Sequence, residues 1–134
     1  MNENENMISH LEEPSDIAVA AAKALYLKQA GDIQMYNVTD NTIIADYYVI
    51  CSARSSTHIK ALADEVCYKL DLGGVTASRV EGRDGGTWVL VDFGCVIVHI
   101  FSKEAREFYK LERLLNEENK KDLTEAFKEI DENN

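Results

Sequence analysis

Cysteine, histidine and aspartate fall within one apolar run, TWVLVDFGCVIVHIF, residues 87–101, and side chains of these types can ligate metals or cut bonds. Cys95 and His99 stand four residues apart, a spacing that puts two ligands on one face of a helix. The run alternates as a strand, however, and at about 3.3 Å per residue the two side chains stand roughly 13 Å apart. Zinc held at about 2.0–2.3 Å from its ligands does not bridge that gap, so no metal is expected.

A catalytic nucleophile needs a base within hydrogen-bond reach and a third group to orient the base. Cys51 or Cys95 with His58 or His99, and Ser55 or Ser56 beside His58, supply the residue types but no local frame such as Gly-x-Ser-x-Gly. Cysteines in apolar strands are more often core thiols. His58, near a helix start, is expected to support a turn, and His99 to satisfy a core or interface hydrogen bond. The glycine-rich stretch EGRDGG, residues 81–86, lacks the G-x-x-x-x-G-K-[ST] pattern and reads as a turn. Asp46 and Asp92 have the chemistry for magnesium, yet nothing in the sequence brings them together. No enzyme frame emerges from spacing.

The elements that must position these residues are legible from periodicity. Pro14, Ser15 and Asp16 start a helix whose apolar stripe runs through Ile17, Ala20, Ala21 and Ala24, with Gly31 as its stop. DIQMYNV, residues 32–38, alternates as a strand, and ADYYVICSA, residues 45–53, is apolar on both faces as a covered central strand is. Ser55 or Ser56 caps a helix with Ile59, Leu62, Ala63, Val66 and Leu70 on one stripe, ended by Gly73 and Gly74. VTASRVEG is a short strand; TWVLVD and CVIVHIF follow as a hairpin closed at Phe93 and Gly94. Ser102 caps a helix, SKEAREFYKLERLL, with Phe108, Leu111 and Leu115 as its apolar line. DLTEAFKEIDE closes the chain as a weak amphipathic helix. The economical architecture is one α/β (α+β) domain, a mixed five-stranded sheet with helices packed on it.

At 134 residues and 46% apolar, the chain has the material for one core. No stretch is long and apolar enough to span a bilayer, the start is acidic and polar, and the three cysteines form no framework. A cytoplasmic protein is expected. The net charge of −10 is concentrated at the ends, in an acidic arm over residues 1–15 and an acidic, weakly helical extension over 116–134. Residues 16–115 form the nearly neutral body. This balance disfavours a grip on nucleic-acid phosphate and suits a basic protein partner or simple solubility.

The hairpin leaves one question open. Trp88, Leu90 and Asp92 alternate with Val89, Val91 and Phe93, and Cys95, Ile97, His99 and Phe101 with Val96, Val98 and Ile100. One set is core. The other mixes large apolar groups with Asp and His, as a surface under a helix or around an aromatic anchor does, and pattern alone favours the covering helix.

The succession ADYYVICSARSSTHIKALADEV, VEG, WVLVDFGCVIVHIF and AREFYKLERLL resembles the Iojap family, the bacterial ribosomal silencing factors, from about Asp16 to Leu115. The resemblance implies a nucleotidyltransferase-like fold without catalytic residues, no cofactor, and no enzyme activity. It also implies binding to the large ribosomal subunit through ribosomal protein uL-fourteen, which blocks subunit joining when nutrients are scarce, and a capacity to form homodimers. The alternative from another class is a nucleotidyltransferase-like enzyme or nucleotide-binding protein. Carried onto this chain, the family's marks include Ser52, His58, Glu81, Gly94 and His99. Trp88 is expected to supply apolar contact, with Leu90 and Ile97 beside it; Asp92 and Glu81 are expected to face basic groups of the partner, and residues around Cys95 to complete the patch. Tyr47, Arg106, Tyr109 and Glu112 are expected to be scaffold. The chain departs from the family at Cys95, where aspartate is usual, at Thr57, where arginine is usual, and at Leu115, where tryptophan is frequent.

Overall fold

The computed structural model describes residues 10–133; the first nine residues of the acidic arm expected over 1–15 lie outside the described residues. Pro14, which has no N–H to leave unsatisfied, opens helix α1, Pro14–Leu27, and its small face of Ala18, Ala21 and Ala22 is buried with Leu25. The expected stop at Gly31 falls earlier. Gln29 makes the left-handed turn, at φ 63°, and Gly31 already belongs to strand β1, Gly31–Asn37. Strand β2, Tyr47–Ala53, leads into helix α2, Ser56–Leu72, whose first turn is closed by the Ser55 hydroxyl accepting from the His58 N–H at 3.0 Å.

Strands β3, Arg79–Glu81, β4, Trp88–Asp92, and β5, Val96–Ser102, form an antiparallel ladder. Ser102 then accepts from the Ala105 N–H and starts helix α3, Lys103–Tyr109. The helix expected to reach Leu115 ends there because Lys110 turns left-handed, at φ 49°, and a 3-10 turn follows over Leu111–Leu114. That break separates the expected apolar line. Leu111 and Leu115 pack inward, whereas Phe108 is 79% exposed.

The sheet has six strands, not five, in the order β3-β4-β5-β2-β1-β6; β2 and β5 run parallel, and the other neighbours antiparallel. The additional edge strand β6 is Lys120–Lys121, a pair of exposed lysines whose sequence carries no strand signal. Helices α1 and α2 cover one sheet face, burying Val49, Cys51, Val89, Val91, Val98 and Ile100 among Ile59, Leu62 and Val66. Burial pushes the Cys51 thiol up to about 12, so it stays protonated and inert.

Helix α4, Thr124–Glu132, returns the acidic extension to α1. Phe127 stacks on Tyr26 at 4.2 Å, the Tyr26 hydroxyl donates to Asp131, and Lys23 pairs with Glu129. Phe127 is half-buried, so Phe127→Ala is expected to cost about 2 kcal/mol. Urea denaturation of the two proteins checks this; an unchanged midpoint would mean that α4 adds nothing to the body.

Candidate functional site

Period-two alternation through β4 and β5 turns one set of side chains toward α1 and α2 and the other to the opposite face. On that second face the register aligns three rows across the strands. Glu81, Leu90, His99 and Ile50 form one; Arg79, Asp92, Ile97 and Tyr48 form the next; Trp88, Phe101 and Ser52 form the third. Helix α3 and the 3-10 turn cover part of this face, with Ala105, Leu111 and Leu115 packing against Ile50, Ile97 and Phe101. Cover stops short of the hairpin, where Trp88, Leu90 and Tyr48 remain half-buried. The structure therefore places the expected covering helix over the inner part of this face and leaves a solvent-facing strip beside it.

The strip is aromatic. Trp88 lies 4.8 Å from Phe101 and 4.8 Å from Tyr109, and Tyr109 meets Phe108 edge-on at 5.0 Å. Tyr109 is 51% exposed, a surface aromatic where the sequence suggested scaffold. Its rim is charged. Arg79 donates to Asp92 at 3.3 Å and to Glu81 at 3.1 Å, so both carboxylates expected to face a partner already share one exposed guanidinium. Asp92 also accepts from the Gly94 N–H at 2.8 Å, which fixes the carboxylate at the hairpin turn. Exposed pairs of this kind are worth little and exchange readily for a partner's groups.

His99 sits beneath the strip, 4% exposed. Its Nδ1 accepts from the Trp88 indole N–H at 3.2 Å, which puts the ring proton on Nε2; Nε2 has no hydrogen-bond partner among the described residues. Tyr48 packs edge-on against the imidazole at 4.6 Å. Burial pushes the His99 pKa down from 6.5 to about 4. Over that interval the unfolded chain binds the extra proton, so stability falls as pH drops from 6.5 toward 4 and is unaffected by this group above it. The expected loss is about 3 kcal/mol. Denaturation of wild type and His99→Gln at pH 7 and pH 4 isolates it: the variant should lose less on acidification by that amount, and equal losses would contradict it.

Other expected site residues are placed elsewhere. Ser52, though on the second face, lies under α3 and accepts from Arg106 at 2.9 Å. Arg106 also donates to Glu112 at 2.9 Å and Asp32 at 3.2 Å, tying α3 and the 3-10 turn to the sheet. His58 is buried and spent on local structure: Nδ1 accepts from the Arg54 N–H at 3.0 Å, and Nε2 donates to the Lys28 carbonyl at 2.8 Å. Gly94 is exposed in the turn at φ 88°. Cys95 packs with the α1 and α2 core, not beside Ile97 and His99, because the turn at residues 93–95 interrupts the alternation before Val96. Sequence reasoning missed Arg79. Its alternation with Val80, opposite Asp92, was the available signal.

Among the described residues no three His, Cys, Asp or Glu side chains gather as metal ligands, and no helix is long and apolar enough to cross a membrane. Residues 11–134 match the family model described as "Ribosomal silencing factor during starvation". Over 104 residues the chain is 38% identical to the ribosomal silencing factor RsfS of Bacillus subtilis, covering 78% of this chain and 87% of that protein. It is 34% identical over 90 residues to a Mus musculus protein named for mitochondrial assembly of the ribosomal large subunit, covering 65% of this chain and 40% of that one. A crystal structure of a Chromobacterium violaceum protein superposes with a TM-score of 0.76 at 33% identity, covering 78% of this chain and 87% of that one.

Proposed function

This chain belongs to the ribosomal silencing factor (RsfS) family, and we propose that it docks on the large ribosomal subunit and keeps the small subunit from joining. The observation that carries the reading is the uncovered strip of the second sheet face, with half-buried Trp88 at its centre and Asp92, Glu81 and Arg79 on its rim. An aromatic anchor with a polar border is the usual anatomy of a protein-binding surface. The partner is ribosomal protein uL-fourteen, whose basic groups replace Arg79 at the two carboxylates. A net charge of −10 favours approach to a basic protein patch and disfavours direct contact with ribosomal RNA. The name of the mouse relative, which specifies the large subunit, supports the choice of subunit.

Silencing of this kind is steric. No bond is made or broken, and the role places the protein in the cytoplasm with the ribosomes it restrains when nutrients are limiting. A homodimer through the same face competes with the ribosome for it. Residues 16–115 carry the docking surface; within the segment 116–134, α4 lies on α1, behind the other face of the sheet, so α4 is dispensable for docking. The test is subunit joining followed by light scattering. Adding the protein to isolated large subunits before small ones should lower the joined fraction in proportion to its concentration. Joining at the undisturbed rate, with the protein in excess, would refute the proposal.

A further inference from the structure

Trp88 is surrounded by rings. Phe101 is stacked at 4.8 Å, while Tyr109 at 4.8 Å and His99 at 5.9 Å are tilted, and such ring contacts are only weakly directional, so they restrain the orientation of an indole loosely. Only a directed bond distinguishes one orientation from its flipped counterpart. The indole N–H has such a bond, to Nδ1 of His99, and it crosses from the exposed strip to the buried layer beneath.

The surroundings of His99 make this bond hard to explain as packing. Its cross-strand neighbours are Leu90 and Ile50, its ring contacts are Tyr48, Trp88 and Phe101, and no charged side chain among the described residues pairs with it. An apolar residue would fill such a place without leaving a buried Nε2–H unpartnered, as His99 does. What an apolar residue lacks is an acceptor for the indole. Burial in this apolar setting also keeps the ring uncharged, so that the Nδ1 lone pair stays available.

We infer that His99 is a positioning residue for docking: it takes the Trp88 indole N–H inward and leaves Trp88 to present only apolar ring surface, in one fixed orientation, to the partner. The inference rests on the docking reading above and adds a specificity rule to it. With its donor already satisfied, Trp88 needs an apolar recess on the partner, while polar matching falls to Asp92, Glu81 and Arg79 at the rim. A recess that offers a hydrogen-bond acceptor to the indole gains nothing from it.

Trp88 is the sole tryptophan, so its spectrum reports on this bond without interference. In His99→Leu the acceptor is lost and bulk is largely kept; in His99→Gln the side-chain oxygen can still accept. His99→Leu that remains folded by circular dichroism should show altered Trp88 emission, faster nanosecond depolarisation and about ten-fold weaker binding to isolated large subunits. His99→Gln should recover most of both. Unchanged emission and depolarisation in folded His99→Leu would overturn the inference, as would a spectral change with binding intact. Wild-type protein gives a reading that needs no variant: the indole N–H resonance should exchange with deuterium slowly, and exchange as fast as that of a free indole would overturn the inference even if His99→Leu fails to fold. Slow exchange in a wild type that does not bind the large subunit would support the hold of His99 on Trp88 while refuting the docking reading.

Discussion

Truncating Trp88 to alanine is expected to weaken docking on the large subunit by about 2–4 kcal/mol, roughly 30- to 1,000-fold, while the protein stays folded. The ring is only partly buried in the free protein, so some of its apolar surface is still exposed to water before docking. Its contacts within the chain are with Phe101, Tyr109 and His99, and the side of the sheet that holds the main core does not involve it. Loss of binding should therefore exceed loss of stability. Affinity from pelleting with isolated subunits, set beside urea denaturation of the same variant, measures the two separately. A variant that is strongly destabilised yet binds normally when folded would place the anchor elsewhere on the molecule.

Gly82→Ala is expected to destabilise the protein by about 4 kcal/mol, about 1 kcal/mol from backbone strain and about 3 kcal/mol from the steric clash. Gly82 sits at φ 81°, and a Cβ added there would lie 2.3 Å from the Trp88 carbonyl oxygen. A backbone carbonyl in a paired strand cannot swing aside as a side-chain tip can, so the β3–β4 ladder itself must shift. That ladder sets Glu81 opposite Leu90 and Arg79 opposite Asp92, and the rim of the proposed docking strip goes with it. Gly94 is the control. It has a similar φ of 88° but nothing within 4 Å of an added Cβ, so Gly94→Ala should cost only the backbone strain, about 1 kcal/mol. Thermal denaturation of the two variants checks the contrast, and equal losses would show that the close approach at Gly82 is not what matters.

Much of this architecture is legible in the residues themselves. Alternation through Trp88–Asp92, and again through Val96–Phe101, divides the hairpin strands into a core side and a second side, and the serines at 55 and 102 cap the helices that follow them. What escaped was fixed by contacts distant in sequence or by turn geometry. Lys110 carries no signal for a left-handed turn; the break there lets Leu111 and Leu115 reach the second face and the Arg106–Glu112 pair close. The two lysines of β6 pair with Met35 and Tyr36 through backbone groups alone, to which side-chain periodicity is blind. Cys95 was placed by extending the strand alternation through a turn that interrupts it. For the surface, alternation put Leu90, Asp92, Ile97 and His99 beside Trp88, but it could not show that α3 would leave the hairpin end of that face uncovered, nor that Tyr109 would join the strip. Ser52 and His58, polar marks in otherwise apolar surroundings, are occupied by Arg106 and by backbone groups of neighbouring loops.

The central claim is that this strip holds the large ribosomal subunit, and sedimentation of the purified protein with each isolated subunit tests it most directly, with Asp92→Lys run alongside. The expected result is comigration with the large subunit and not the small one, lost when the charge at position 92 is reversed in a variant that circular dichroism shows to be folded. Wild-type protein left at the top of the gradient at low salt, or Asp92→Lys travelling with the large subunit as well as wild type does, would contradict the account.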